Sequence, residues 1–218
     1  RYARLKEDAR HAQYGTLDED VVVVDTETTG VSFNHDELTQ IAAARMERGE
    51  ITEWFITFVN PGKPIPEDVA HLTNIHDEDV ADAPLPKEAL ASLVEFVGTS
   101  KIVAHNVGFD RTFTTRHPSG YPLLENTWID SLDLARIALP RLKSHRLIDI
   151  VKAFDAPLST HRADADVAAT CAASGSSCSC GGDAFRARFQ HSRHGVARAM
   201  ADARGFRVFR LPQQGGWG

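Results

Sequence analysis

The sequence predicts an α/β fold, a mixed sheet flanked by helices, on three observations. Short runs of β-branched and apolar residues come first and are joined by tight turns. Segments with helical spacing then alternate with further short apolar runs. No apolar run approaches the roughly 20 residues that a membrane helix needs, so each run is sized for a strand or helix of a water-facing domain.

The elements follow in order. Residues 21–25 are four valines ending in Asp25, a buried-strand pattern, and Thr28, Thr29 and Gly30 then turn the chain. Residues 38–46 and 51–59 read as two further strands with Arg48, Gly49 and Glu50 between them, as in a hairpin. Residues 60–66 form a Pro/Gly loop and 67–72 a short helix. Residues 86–97 carry Leu90, Leu93, Val94 and Val97 at helical spacing. Residues 101–105 form a short strand, followed at once by a helix through Phe109 and Phe113. Residues 128–130 supply a last strand, and 132–139, 145–154 and 162–173 read as helices.

This divides the chain into a polar lead-in (1–20), a main domain (21–173) and a tail (174–218). The tail starts with a Ser/Cys/Gly-rich linker at 174–182 and continues into a basic stretch over 184–200, read either as a helix or, with the rest of the tail, as disordered chain. The chain begins with Arg1, as a segment of a longer protein would, and contains no polymerase or helicase motif. There are no internal repeats.

The 218 residues carry a net charge of −6, unevenly spread. Residues 172–218 hold 2 acids against 7 arginines, so the preceding part is strongly acidic. That argues against a protein that coats long stretches of DNA by neutralising phosphates. It leaves room for an enzyme that grips a few nucleotides through bound cations. The three cysteines, Cys171, Cys178 and Cys180, form no disulfide framework and fit a reducing cytoplasm. Cys178 and Cys180 with His191 and His194 offer four zinc donors. One residue between the cysteines is shorter than structural zinc sites use, which favours the linker.

Four acids stand out by context. Asp25 and Glu27 sit at and just beyond the end of a buried strand, and residues two apart in extended chain project to one face. Side-by-side carboxylates repel unless a cation intervenes, and such hard oxygen donors suit Mg²⁺ or Mn²⁺; the alternative makes them a turn-initiating acid and an exposed one. Asp110 follows a strand, a polar pair and Gly108, a common place for a site in α/β sheets, or it simply complements the following helix dipole. Asp166 lies among Ala163, Ala165, Ala168 and Ala169, small enough to let a helix approach the sheet closely. Asp164 competes with it, and spacing alone does not separate the two. His161, just before this helix, has the near-neutral pKa of a general base, or caps the helix.

Asp25-Thr26-Glu27-Thr28-Thr29-Gly30, then His105-Asn106-Val107-Gly108-Phe109-Asp110, then His161 followed by Asp166 resemble the three exonuclease motifs of the DEDDh (DnaQ-like) family. The likeness covers residues 21–173 and is greatest to the exonuclease domains of PolC-type DNA polymerase III and DinG-type helicases. Phe58-Val59-Asn60-Pro61 and His71-Leu72-Thr73-Asn74-Ile75 resemble the family's "N-P … L-T-G-I" stretch, with Asn74 in place of the usual Gly. Ser144-His145-Arg146-Leu147 resembles its "H-x-L". The tail shows no such likeness.

The resemblance implies an RNase H-like fold with a five-stranded mixed sheet. It implies that Asp25, Glu27, Asp110 and Asp166 hold two Mg²⁺ or Mn²⁺ ions, the ligand being Asp166 rather than Asp164, and that His161 is the general base. It places Thr28, His105, Asn106 and Phe109 at the terminal nucleotide. The implied reaction is 3′→5′ removal of nucleoside monophosphates from a single-stranded or frayed DNA end. Its expected setting is proofreading or repair, like the polymerase III epsilon subunit, beside a DNA polymerase or helicase and away from membranes. The alternatives are an RNA-directed exonuclease of the same family and a non-catalytic nucleic-acid-binding module. The aromatic ring of Phe109 either stacks on the terminal base or belongs to the core of its helix.

Overall fold

The computed structural model describes residues 20–47, 50–153, 163–174 and 207–210. The lead-in, the Arg48–Gly49 turn, His161, the basic-helix expectation and the zinc alternative all fall outside these residues. Among the described residues six strands form one sheet: β1 (Val21–Thr28), β2 (Leu38–Glu47), β3 (Glu50–Phe58), β4 (Lys101–Ala104), β5 (Trp128–Asp130) and β6 (Arg207–Arg210), in the order β5-β4-β1-β2-β3-β6. β1, β2 and β3 pair antiparallel, while β4 and β5 add in parallel on the other side of β1. The five expected strands and their mixed topology are thus present. A sixth, from the tail, pairs antiparallel with the outer edge of β3.

The helices are α1 (Glu67–Thr73), α2 (Asp77–Val80), α3 (Pro86–Val97), α4 (Val107–Thr115), α5 (Ser131–Ala138), α6 (Leu147–Ala153) and α7 (Ala163–Ser174), with a 3-10 segment at Pro118–Glu125. α2 and the 3-10 segment, outside the expected elements, are both too short to show helical periodicity in the sequence. Asn74 ends α1 with φ 53°, in the left-handed region where Gly or Asn closes a helix. That explains how Asn stands where the resembled stretch has Gly. Among the described residues no helix is long and apolar enough to cross a membrane.

The alternation of β1 divides the core in two. Val22 and Val24 pack with Ala43, Phe55, Leu90, Leu93 and Phe113, on the face covered by α3 and α4. Val21 and Val23 pack with Ala42, Ala44, Trp54, Val103, Ala163, Val167 and Ala168, on the face covered by α7. The small residues on both sides of this second interface let α7 lie close to the sheet. α6 in turn covers the back of α7 through Leu147, Val151 and Ala169.

Candidate active site

β1 continues to Thr28, beyond the expected end at residue 25, because β2 keeps pairing with it: Asp25 lies opposite Ala42 and Glu27 opposite Gln40. Asp25 and Glu27 are therefore strand residues, held on the face of Val21 and Val23 that α7 covers. The pairing register shifts between Glu27 and Thr28, the kind of irregularity that bends a strand end. α7 brings Asp166 to the same place from its first turns. Carboxylate oxygens of Asp25, Glu27 and Asp166 all lie within 4.8 Å of one another, each side chain half-buried.

This trio fits a divalent cation. All donors are hard oxygens, and opposed oxygens on one Mg²⁺-sized ion lie about 4 Å apart. Asp164 lies in the first turn of the same helix, and its side chain lies outside the described residues.

Asp110 stands apart from the trio. It is buried on α4, on the opposite side of β1, and its Oδ1 accepts a hydrogen bond from Thr26 Oγ1 at 2.8 Å. Thr26 lies between the two strand acids and so points to the other face. Burial pushes the Asp110 carboxyl up to about 7, against the opposing pull of the Thr26 hydroxyl. The structure thus converges three of the four expected acids and ties the fourth to them through the residue between.

The expected nucleotide-contacting residues divide. Thr28 is buried at the end of β1, its hydroxyl donating to the Gly30 carbonyl. Phe109 is partly buried, 4.8 Å from the Phe113 ring and 6.1 Å from the half-exposed Phe33 ring, centroid to centroid. Both expected roles of Phe109 are therefore compatible with its position, packed inward and edged by an open aromatic. His105 is differently employed. Its Nε2 donates to the His145 carbonyl (3.1 Å), and in the neutral ring Nδ1 accepts from the Ser131 hydroxyl (3.0 Å). Burial lowers its pKa and so favours that neutral form. With both nitrogens engaged inside the protein, its geometry is that of a fastener between β4, α5 and the loop before α6.

Asn106 adopts φ 68° at the start of α4, and its backbone N–H donates to Asp130 Oδ1. The same oxygen caps α5 through Leu132 N. Asp130 and Gln40, outside the quoted motifs, and Thr26, inside the first of them but given no role there, support the site. Their one sequence signal is polarity inside short apolar strands.

The loop after β1 is fixed by charge. Asp36 accepts from Thr29 Oγ1, Ser32 N and Lys63 Nζ, and the Ser32 bond leads in holding its carboxyl below the usual range. The Arg116 guanidinium donates to Phe33 O, Asp36 O and Glu37 Oε2 while lying 4.7 Å over the Phe113 ring. This loop presents Val31 and Phe33 to solvent.

Comparison with known proteins places these features in context. The exonuclease family model (RNase_T) matches residues 22–173. PolC-type DNA polymerase III of Bacillus cereus is 38% identical over 156 residues, covering 70% of this chain and 11% of the polymerase. That of Bacillus subtilis is 37% identical over 169 residues, covering 74% and 12%. The matched region thus spans about a tenth of these relatives' length. Among solved structures, Exonuclease X in complex with 5′ overhanging duplex DNA superposes with a TM-score of 0.59 at 26% identity, covering 72% of this chain and 89% of that one. E. coli Exonuclease I in complex with a dT13 oligonucleotide shares the fold, with a TM-score of 0.64 at 23% identity over 79% of this chain and 44% of its own.

Proposed function

The chain belongs to the exonuclease family, and on that premise we propose that it removes nucleoside monophosphates one by one from the 3′ end of a DNA strand, using two divalent cations. The observation that carries this reading is the convergence of Asp25, Glu27 and Asp166 within 4.8 Å. In this reading those three and Asp110 hold the cations, Mg²⁺ or Mn²⁺. Bound there, such ions acidify the attacking water and offset charge on the scissile phosphate and the departing 3′ oxygen. His161 takes the water's proton. Thr28 and Phe109 receive the terminal nucleotide, the ring by stacking, a contact worth about 1–3 kcal/mol. His105 and Asn106 act from behind, holding the start of α4 and hence Asp110.

DNA is favoured as substrate because the similar sequences are DNA polymerases and Exonuclease X was solved on DNA. The same likeness supports a cytoplasmic proofreading or repair role beside a DNA polymerase. A time course on a 5′-labelled single-stranded oligonucleotide, as DNA and as matched RNA, tests the reading. A ladder shortening from the 3′ end, faster on DNA and abolished by EDTA, is expected. Faster cleavage of RNA would transfer the assignment to the RNA-directed alternative. Absence of Mn²⁺ binding in calorimetry would leave only the non-catalytic module.

A further inference from the structure

One residue next to the acids has no part in that reaction and yet is fully buried. Gln40 lies in β2 directly opposite Glu27, so the two side chains share the face that α7 covers. Its Oε1 accepts from the backbone N–H of Ala163 at 3.2 Å. Ala163 is the first residue of α7, where backbone N–H groups have no partner within the helix. The acceptor must be the amide oxygen, because a backbone N–H only donates, and this orients the amide. Its Nε2 is then buried with no hydrogen-bond partner among the described residues. A buried amide with an unmatched donor is a poor choice for packing alone. Ala42, next on the same face, shows how an apolar side chain serves there.

We infer that Gln40 is a positioning residue that sets where α7 begins over the sheet, and thereby brings Asp166 to the Asp25–Glu27 pair. This rests on the reading of that trio as a cation site. The side chain joins the two units that carry the acids: the β1–β2 pair that places Glu27 and the helix that places Asp166. One turn of helix separates Ala163 from Asp166, so a shift of the helix start carries the carboxylate with it.

The test uses the full chain with Gln40→Met, which keeps length and apolar volume and removes the acceptor, and Gln40→Glu, which keeps an acceptor for the Ala163 N–H. Mn²⁺ affinity is read by calorimetry, the Ala163 amide by hydrogen exchange, and kcat and KM on a single-stranded oligonucleotide. Gln40→Met is expected to weaken Mn²⁺ binding about tenfold or more, to speed exchange at Ala163 and to lower kcat with KM little changed; Gln40→Glu restores the exchange protection. If folded Gln40→Met binds Mn²⁺ and turns over like the wild type, Gln40 is only a core residue and the inference is overturned. If the wild-type chain itself binds no Mn²⁺, or binds it unchanged after Asp25→Asn, the cation-site reading fails first and takes the inference with it.

Discussion

At the scale of single residues, each acid owes its character to the face of β1 it meets. Asp25 is one of three carboxylates gathered in a half-buried cluster, so Asp25→Asn removes a cation donor and relieves mutual repulsion. Turnover is expected to fall on the order of a thousandfold, the loss of roughly 4 kcal/mol of transition-state stabilisation, while the chain in EDTA unfolds no more easily than before. His161→Ala is the contrasting case: Mn²⁺ affinity stays and kcat drops about 10²–10⁴-fold. Undiminished turnover in that variant removes His161 from the mechanism. Asp110 gives a pH prediction. Its folded-state pKa is raised to about 7 by burial, so between the ordinary carboxylate range and about 7 the folded chain holds a proton that the unfolded chain has released. That contribution to stability is complete at low pH and is lost as pH rises through about 7. Urea denaturation in EDTA at pH 5 and pH 8 is therefore expected to show a loss in the wild type that Asp110→Asn lacks. An identical pH dependence in both proteins refutes the burial argument.

At the scale of elements, the site depends on how closely neighbouring segments approach. Gly120, in the 3-10 segment, lies against α4 so tightly that a Cβ there would sit 1.7 Å from the Thr114 carbonyl oxygen. Gly120→Ala must push the segment away from the helix that carries Asp110. A loss of at least about 2 kcal/mol is expected in chemical denaturation. The loop after β1 hangs instead on Arg116, whose planar fork reaches three oxygens at once. Lysine cannot reproduce that geometry. Arg116→Lys is thus expected to lose about 1–3 kcal/mol and to raise KM for oligonucleotides more than it lowers kcat, since the loop carries Phe33 beside Phe109. Wild-type stability and KM in Arg116→Lys show that the loop holds without the fork. Neither Gly120 nor Arg116 belongs to a recognisable motif: Arg116 acts on a loop some 80 residues away, and the close approach of Gly120 to Thr114 shows only once the 3-10 segment folds back on α4.

At the scale of the whole molecule, a net charge of −6 implies that substrate is held by few phosphate contacts beyond the cation site. Raising salt from 50 to 200 mM is then expected to increase KM by no more than about tenfold, against the 10³–10⁵-fold loss of affinity of proteins that make 6–10 phosphate contacts. A steeper dependence, measured at fixed Mg²⁺, implicates an extended basic surface. The sequence by itself determined the mixed sheet and the positions of its first five strands, and it singled out Asp25, Glu27 and Asp110 by their context. These rest on local signals: alternation, β-branching, helical spacing and motif order. It also pointed to Asp166, through family likeness alone. What only the tertiary structure decided is which groups meet. β2 prolonged β1 past Asp25, a helix more than a hundred residues away supplied the third carboxylate, and the two faces of one strand separated Asp110 from the trio. The partners of His105, Gln40 and Arg116 were equally hidden, as was the pairing of Arg207–Arg210 with β3. The reason is physical: periodicity records which face of an element is apolar, whereas a hydrogen bond or a shared cation depends on where a remote segment lands on that face.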